Sequence, residues 1–461
     1  MKLFKNMPWH MLPVIFSLAW PTMLEQLMQT AVQYIDTAMV GSLGTEATAA
    51  IGGTTTINWL IGSTISAISV GFLAYISQAK GAGDIKKAKK ASSQAVLAVI
   101  ISGLFFTLIT LGLSPVIPLW MQMDVDIRET ASQYFFIIYL PMLFRAASII
   151  FGTILRAVGD TKTPMLAGIW VNVSNVLLNF FLIYESRVVN VFGSDIYIPG
   201  AGLKVIGAGL ASAISFVLGG VIISIALWKH PIVSPEGESF KPDMMIIKPC
   251  VKVAFPNALQ RFGTSLGYVV FAAMVNSIGE TSTAAHTIAN TVESAFYIPG
   301  YGMQTAAATL AGNALGAKDE KKVMDLSKMI LFIEVLLMIF SGAMLFIFAP
   351  NLMSIFSKDP EVINLGTIVL RMVACSEPFY GVSIIVEGMM QGMGKTVMPF
   401  VCNVTGMWVF RIVGTFICTQ LFSFGLISAW ACMILHNFMM FVMFFIYYVT
   451  GRWVPKEKFK N

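Results

Sequence analysis

AMVGSLGTEATAA (residues 38–50) is followed 235 residues later by AMVNSIGETSTAA (273–285), which has nearly the same order of small, apolar and glycine residues. Two more segments recur at this spacing without a gap. AKGAGDIKK (79–87) returns as ALGAKDEKK (314–322), and LRAVGDTKTP (155–164) returns as MQGMGKTVMP (390–399). Three matches at one offset indicate that the chain is built from two copies of one structural unit.

Each copy is strongly apolar. The chain has 461 residues, of which 56% are hydrophobic and only 12% are charged, whereas a soluble domain carries about 25% charged residues. Stretches of roughly 20 apolar residues can span a bilayer as helices. Twelve such spans are predicted, near 12–36, 50–77, 93–118, 131–155, 164–184, 205–228, 250–277, 287–311, 329–349, 363–389, 399–421 and 424–449.

The spans and the repeat together predict an all-α polytopic membrane protein. Its twelve transmembrane helices should form two six-helix lobes, related by a pseudo-twofold axis along the membrane normal. Two like-oriented bundles of this kind favour a transporter over a receptor or an enzyme. The proline-rich segment KHPIVSPEGESFKPDMMIIKP reads as a tether between the lobes. The predicted boundaries are an N-lobe at 1–228, a cytoplasmic linker at 229–249, a C-lobe at 250–450 and a cytoplasmic tail at 451–461.

Lysine and arginine residues are concentrated in alternate loops and at both ends of the chain, where 22 of the 30 lie. The opposite loops hold only Arg128, Arg187, Lys204 and Lys358. Because loops rich in these residues stay on the cytoplasmic side, the pattern predicts a multi-pass protein of the cell membrane with both termini in the cytoplasm. The basic residues then set the topology, and no nucleic-acid partner is expected.

The sequence also limits the possible chemistry. No GxxxxGK[ST] motif occurs, so ATP is not expected to drive transport on this chain. The four histidines are scattered, and no nucleophile–base pair or metal-ligand spacing is visible. We therefore expect neither an enzyme nor a bound cofactor. Transport driven by an ion gradient would require ionisable or coordinating groups inside the membrane.

Asp36 is the main candidate for such a group. It lies in LMQTAVQYIDTAMVG, near the outer end of the first span and beside Gln33 and Thr37. A carboxylate in apolar surroundings could alternate between a proton and Na⁺. The residue 235 positions later is Phe271, so the carboxylate breaks the repeat. A partly solvated aspartate at a helix end is the alternative interpretation.

The fifth span carries a second polar cluster. In WVNVSNVLLNFFLIY, the residues Asn172, Asn175 and Asn179 follow spacings of three and four, which places three amides on one helix face. Amide oxygens are suitable ligands for hard cations, so with one carboxylate they could form a Na⁺ site at Asp36, Asn175 and Asn179. Hydrogen bonding between helices is the alternative for these amides.

Other polar side chains inside the spans are candidates for substrate binding or for a second coupling site. These residues are Glu25, Gln33, Asn172, Gln260, Arg261, Glu293 and Glu377. Glu334 and Arg371 are expected within two turns of a helix end, from which they could reach water. Glu387 is expected near the cytoplasmic end of the tenth span, and Glu377 could instead form a structural ion pair.

Longer segments resemble a known family. PTMLEQLMQTAVQYIDTAMVGSLG (21–44) resembles the first helix of multidrug and toxic compound extrusion (MATE) transporters, bacterial type, and AAHTIANTVESAFYIPGYGMQTAAATLAGNALGA (284–317) is similar to their eighth. The turns at 155–164 and 390–399 resemble the paired turns after helices four and ten. The resemblance covers nearly the whole chain. It implies a two-lobed antiporter that exports organic, often cationic, compounds in exchange for Na⁺ or H⁺.

The resemblance also implies roles for individual residues. Asp36 matches the first-helix aspartate that family members use for cation coupling, and Asn175 and Asn179 match a fifth-helix pair. Ser212 stands where a threonine completes the Na⁺ site in similar proteins.

One branch of the family differs in the second lobe. Its members carry a helix-seven glutamate, where PNALQRFGT here offers Gln260, Arg261 and Thr264. The helix-ten aspartate of that branch is also missing, with Tyr380 near its place. These departures favour ion coupling through the first lobe.

The sequence therefore predicts a secondary active multidrug efflux antiporter that works by alternating access. Its expected partners are small drug-like molecules and the lipid bilayer, and it is expected to act as a monomer. A flippase for lipid-linked precursors is the alternative, because Arg145, Arg261 and Arg411 could line its cavity with basic groups.

Overall fold

The computed structural model describes residues 7–191 and 194–459, and helices form most of that part of the chain. The basic residues Lys2, Lys5 and Lys460, which belong to the predicted cytoplasmic ends, lie outside the described residues. The helices, in chain order, are α1 Leu12–Gly41, α2 Thr45–Gly52, α3 Thr55–Gly81, α4 Ile85–Leu113, α5 Ile117–Trp120, α6 Val125–Tyr139, α7 Met142–Ala157, α8 Lys162–Leu182, α9 Lys204–Lys229, α10 Met244–Asn276, α11 Glu280–Gly316, α12 Glu320–Phe356, α13 Pro360–Ala374, α14 Glu377–Gly392, α15 Val397–Leu421 and α16 Leu426–Val449.

Shorter elements complete the described structure. Two 3₁₀ turns lie at Trp9–Met11 and Lys456–Lys458, and α15 contains the π-helical segments Gly406–Val413 and Ile417–Leu421. Between α8 and α9, the chain forms an antiparallel hairpin of β1 (Glu185–Val191) and β2 (Ser194–Ala201).

The helices fall where the membrane spans were predicted. Within the described residues, eight helical stretches are long and apolar enough to cross a membrane, and two bent pairs, α6–α7 and α13–α14, raise the number to ten. The two other predicted spans coincide with α10 and α11, which are long helices with more polar residues. The third span, predicted at 93–118, is observed as α4. This helix begins earlier because its basic first turns are also helical, and it also ends earlier, at Leu113. In a bilayer these helices satisfy their own backbone hydrogen bonds.

The sequence repeat is visible in the backbone. The bend between α6 and α7 is 49°, and the bend between α13 and α14 is 53°. Turn residues with positive φ also recur at the same offset, which explains the glycines in the repeated segments. These pairs are Gly44 (114°) with Gly279 (146°), Gly83 (73°) with Lys318 (55°), and Gly159 (87°) with Gly394 (78°).

The chain divides into two compact units. Unit 1 comprises Met1–Gln26, Leu73–Asp84 and Lys248–Asn461, and unit 2 comprises Leu27–Phe72 and Ile85–Ile247. This division departs from the predicted lobes, because the beginning of α1 and the end of α3 belong with the second half of the chain. The hydroxyl of Thr22 on α1, for example, donates to the Gly302 carbonyl of α11 at 2.8 Å.

Within unit 1, the ends of α3 and α11 cross in direct backbone contact. A Cβ added to Gly81 would lie 1.9 Å from the carbonyl oxygen of Asn313, and one added to Gly316 would lie 2.0 Å from that of Gln78. The four residues form two pairs at the 235-residue offset, so the same contact is made twice. Glycine is required at both positions because helices can approach this closely only without a side chain.

Within unit 2, the segment before α10 is bound to the beginning of α4. Gln94 donates to the Lys241 carbonyl at 3.0 Å and accepts from the Asp243 backbone N–H at 2.9 Å. The Ser93 hydroxyl donates to the Ser239 carbonyl at 3.0 Å. Lys90 forms an ion pair with Asp243, so residues 239–243 of the predicted linker are bound to one helix.

Candidate functional site

The predicted coupling residues come together in unit 2. Asp36 lies in the second half of α1, and the amides of α8 are buried on one face. The Asn179 Nδ2 donates to Asp36 Oδ1 at 2.6 Å, a short distance that is typical of a hydrogen bond to a charged acceptor. Asn175 lies one turn before Asn179, and Ser212 on α9 lies next to Asn175. The spacing of three and four therefore places the amides as the sequence predicted.

The Asn175 amide also faces Asp36. With its nitrogen towards the carboxylate, it donates to the two carboxylate oxygens at 2.8 and 3.0 Å. The other end of the amide lies 3.4 Å from Ser212 Oγ. Asn175 and Asn179 are thus both placed to donate to an ionised Asp36.

Oxygen atoms with free lone pairs remain beside the carboxylate. Within the part of the chain that the structure describes, the buried Oδ1 of Asn179, whose Nδ2 donates to Asp36, has no hydrogen-bond partner. Buried polar atoms of this kind are uncommon. Carboxylate, amide and hydroxyl oxygens are the ligands that hard cations prefer, so the donor set around Asp36 fits a monovalent cation.

The remaining candidates in unit 2 have different surroundings. Asn172 is buried one turn before Asn175, and its Nδ2 has no partner among the described residues. The Gln33 side chain is exposed, while its carbonyl accepts from Thr37 at 2.8 Å. Arg145 lies with its guanidinium 4.9 Å from the centre of the Phe216 ring. Within the described residues, none of these three side chains forms a hydrogen bond with Asp36.

The sequence did not identify Tyr184, which follows α8 directly. Its hydroxyl lies 2.9 Å from Ser42 Oγ and donates to the Met39 carbonyl at 3.2 Å. Met39 lies in the last turn of α1, and Ser42 follows the end of that helix. The guanidinium of Arg187, on β1, lies 4.5 Å from the centre of the Tyr184 ring. Tyr184 therefore ties the end of the asparagine helix to the helix that carries the carboxylate.

In unit 1, Gln260 belongs to a network of amides around Glu387. Glu387 Oε1 accepts from Gln260 at 2.7 Å and from Gln391 at 2.9 Å, and its Oε2 accepts from Asn403 at 3.0 Å. Only 9% of Glu387 is exposed, so its burial is greater than its expected place near the cytoplasmic helix end implies. Three amide donors satisfy this carboxylate, which indicates a structural role.

The other candidates in unit 1 are also buried or engaged. Arg261 donates from Nε to Asn257 Oδ1 at 2.9 Å. Glu25 is 8% exposed, Glu293 6% and Glu377 2%. Glu293 on α11 and Glu377 on α14 interact electrostatically with each other, so these two predicted residues are brought together.

One expectation in unit 1 is wrong. Glu334 was expected near a helix end with access to water, but α12 begins at Glu320, so Glu334 lies well inside it. Its side chain is 0% exposed. The charged segment EKKVMDLSK forms the first turns of α12, which moves residue 334 away from the end of the helix.

Sequence relatives agree with the repeat. The MatE family model matches residues 21–181 and 256–417, one region in each copy. The "Probable multidrug resistance protein NorM" of Thermotoga maritima is 26% identical over 456 residues, which cover 98% of this chain and 96% of that protein. The "Probable multidrug resistance protein YpnP" of Bacillus subtilis is also 26% identical, over 97% of this chain and 96% of that protein.

Solved structures share the fold. A MOP superfamily transporter from Pyrococcus furiosus superposes with a TM-score of 0.85 at 22% identity, over 97% of this chain and 96% of that chain. The outward-facing conformation of a multidrug resistance MATE family transporter gives 0.87 at 21% identity, again over 97% and 96%. These comparisons confirm the predicted all-α fold with two lobes. Because the family model covers both copies of the repeat, the chain belongs to the MATE family, and it is a membrane transporter and not an enzyme.

Proposed function

We propose that this chain is a secondary active antiporter that exports small organic compounds, often cationic, in exchange for Na⁺ or H⁺. The observation that carries the proposal is the group formed by Asp36, Asn175 and Asn179. It combines one carboxylate with two amides that face it, and the buried Oδ1 of Asn179 has no hydrogen-bond partner among the described residues. The names of the relatives, multidrug resistance proteins in two bacteria, support the class of substrate.

Binding of the ion at Asp36 changes the hydrogen bonding between the neighbouring helices. The amides of Asn175 and Asn179 on α8 face Asp36 on α1, and Ser212 on α9 lies 3.4 Å from the Asn175 amide. A proton or Na⁺ at Asp36 neutralises the charge that these amides stabilise. The ion thus changes how strongly the hydrogen bonds join α1 and α8. An ion shifts a conformational equilibrium when its affinity differs between the two states, so ion and drug need not share atoms.

Further parts of the proposal extend the predictions from sequence. Glu25, Gln33 and Asn172 are candidates for contact with the exported compound, and the buried Glu293 and Glu377 are candidates for a second coupling site. The protein acts as a monomer in the cell membrane, with both termini in the cytoplasm. The distribution of Lys and Arg supports that orientation.

The flippase alternative is not favoured by the arginines that motivated it. Arg145 lies against the Phe216 ring, and Arg411 lies 4.1 Å from the centre of the Phe271 ring. Arg261 is bound to Asn257. Each guanidinium is thus engaged by aromatic rings or an amide, which argues against a shared basic cavity for a lipid diphosphate.

The experiment is export of an ethidium-like cation from proteoliposomes, with a pH gradient and a Na⁺ gradient imposed separately. Wild-type protein should export the dye under at least one gradient. Asp36→Asn should lose that export, and Asp126→Asn, a control at an exposed carboxylate on α6, should retain it. Absence of gradient-driven export by wild-type protein, or normal export by Asp36→Asn, would contradict the proposal.

A further inference from the structure

Unit 1 contains a buried acidic side chain that is not part of the coupling site at Asp36. Glu334 lies inside α12 and is 0% exposed. Within the described part of the chain, neither of its carboxylate oxygens has a hydrogen-bond partner. An ionised carboxylate without a donor is very costly in such a place, so a neutralising ligand is required.

The neighbouring helices leave space for this carboxyl group. A Cβ added to Gly300 on α11 would lie 2.7 Å from Glu334 Oε1, and one added to Gly381 on α14 would lie 3.1 Å from it. Gly300 follows Pro299, which lies inside the continuous helix α11 and has no N–H to donate to the carbonyl of Ala295.

Other charged groups nearby do not neutralise Glu334. Glu377 interacts electrostatically with both Glu334 and Glu293, and all three are acidic. Among the described residues, the basic group that acts on them is Arg411 of α15, which acts on Glu293. In the same part of the chain, no Lys or Arg nitrogen lies within 4.0 Å of these carboxylates. The surrounding titratable groups are linked electrostatically to the cluster directly or through one neighbour. They are Tyr268, His286, Tyr297, Tyr301, Tyr380, Arg411 and His436.

The ligand is more consistent with a proton than with a metal ion. A metal ion would need several oxygen ligands around it, whereas the structure arranges no group of three or more His, Cys, Asp or Glu side chains for a metal within the described residues. A proton needs no coordination shell. A protonated carboxyl also carries no charge, so its burial without a basic partner costs far less than burial of the ionised form.

We propose that Glu334 is a proton-binding site in unit 1, with Glu377 as the neighbouring carboxyl group that receives or supplies the proton. The site is built on α11, α12 and α14 and is separate from Asp36. It goes beyond the proposed coupling site, because it places an exchangeable proton in the second copy of the repeat, where the corresponding coupling residues are Phe271 and Phe410.

Infrared difference spectroscopy of reconstituted protein tests this directly, since a protonated carboxylic acid has a C=O stretching band that an ionised carboxylate lacks. The measurement is made in an Asp36→Asn background, so that it does not depend on the proposed coupling site. At neutral pH, Glu334→Gln should remove the intensity of one buried carboxylic acid. Glu361→Gln, a control at an exposed acid on α13, should leave the spectrum unchanged.

Glutamine has the shape of a protonated glutamate and no charge, so Glu334→Gln should keep the Tm of the background protein. An unchanged carboxylic-acid band in Glu334→Gln would overturn the proposal. Absence of any such band at neutral pH in the protein with Glu334 intact would overturn it as well, whether or not the variant folds. Export assays do not enter either result, so failure of this site and failure of the antiport proposal are distinguishable.

Discussion

The crossing of α3 and α11 allows the loss of stability caused by a substitution to be estimated, because the geometry gives the distances of the two contacts. Gly81→Ala would place a Cβ 1.9 Å from the Asn313 carbonyl oxygen, and Gly316→Ala would place one 2.0 Å from that of Gln78. Real Cβ atoms essentially never come closer than 3.0 Å to such a neighbour. The helices must therefore separate by about 1 Å at this point, the difference between those distances.

Overpacking of this kind costs roughly 1–3 kcal/mol per site. At roughly 2–4 °C per kcal/mol for a unit of this size, each variant should lower Tm by several degrees. Combining Gly81→Ala with Gly316→Ala should cost less than the sum of the single changes, because one separation of the helices relieves both contacts. The backbone here is helical, so strain in φ does not contribute.

The assay is thermal unfolding of detergent-solubilised protein, followed by intrinsic fluorescence. Gly112→Ala, in α4, is the matched control, because nothing lies within 4 Å of its added Cβ. The control should be neutral or slightly stabilising, since alanine favours a helix over glycine by about 1 kcal/mol. Equal Tm values for Gly81→Ala, Gly316→Ala and Gly112→Ala would refute the close crossing of the two helices.

Three further predictions concern the coupling site and the segment before α10. Asn179→Leu should weaken gradient-driven dye export by roughly 10–100-fold, because a hydrogen bond to a charged group contributes about 1.5–3 kcal/mol. Asn172→Leu should have a smaller effect. Equal losses in the two variants would argue against a special role for the Asp36 contact. Tyr184→Phe removes only a hydroxyl, and it should change the ion dependence of export while the apparent KM for the dye stays constant, which steady-state kinetics at varied ion concentration would measure. The Lys90 ammonium lowers the pKa of Asp243, so their contact is present above the ordinary Asp range and is lost as pH falls through the lowered pKa. The protection of the Asp243 amide, measured as its exchange rate relative to the intrinsic rate at each pH, should then fall in acid, and protection insensitive to Lys90→Gln would contradict this.

The fold was largely predictable because the repeat and the turns carry their own signals. Glycine at 44 and 279 has positive φ, as do Gly159 and Gly394, so the repeated letters mark a repeated backbone conformation. Helix limits were less predictable. Hydropathy locates the apolar centre of a span, whereas charged first turns, as in α4 and α12, are also helical. That difference moved Glu334 from an expected helix end into the interior.

The coupling group was partly predictable. Spacing alone places Asn172, Asn175 and Asn179 on one face of α8, but it does not say which neighbouring helix that face meets. The resemblance supplied Ser212, and the structure supplies the distances. The direction in which the Asn175 amide faces has no signal in sequence, because it depends on atoms from three helices that meet in space.

The division into units also lies beyond sequence patterns. The repeat predicts a boundary near residue 228, yet the beginning of α1 and the end of α3 are held by contacts such as the bond from Thr22 to Gly302. Such contacts depend on which helices cross, and their residues are ordinary small and polar ones. The assignment of 1–228 and 250–450 to two functional lobes stays a prediction that needs a transport experiment.

The central claim is that an ion bound at Asp36 is exchanged for the exported compound. The most direct measurement is ion movement driven by the dye alone: proteoliposomes are given an outward gradient of an ethidium-like cation, and uptake of Na⁺ and of H⁺ is recorded with no ion gradient imposed. Wild-type protein should take up one of the two ions as the dye leaves, and Asp36→Asn should take up neither. Dye export without ion uptake by the wild type, or equal ion uptake by Asp36→Asn, would contradict the account.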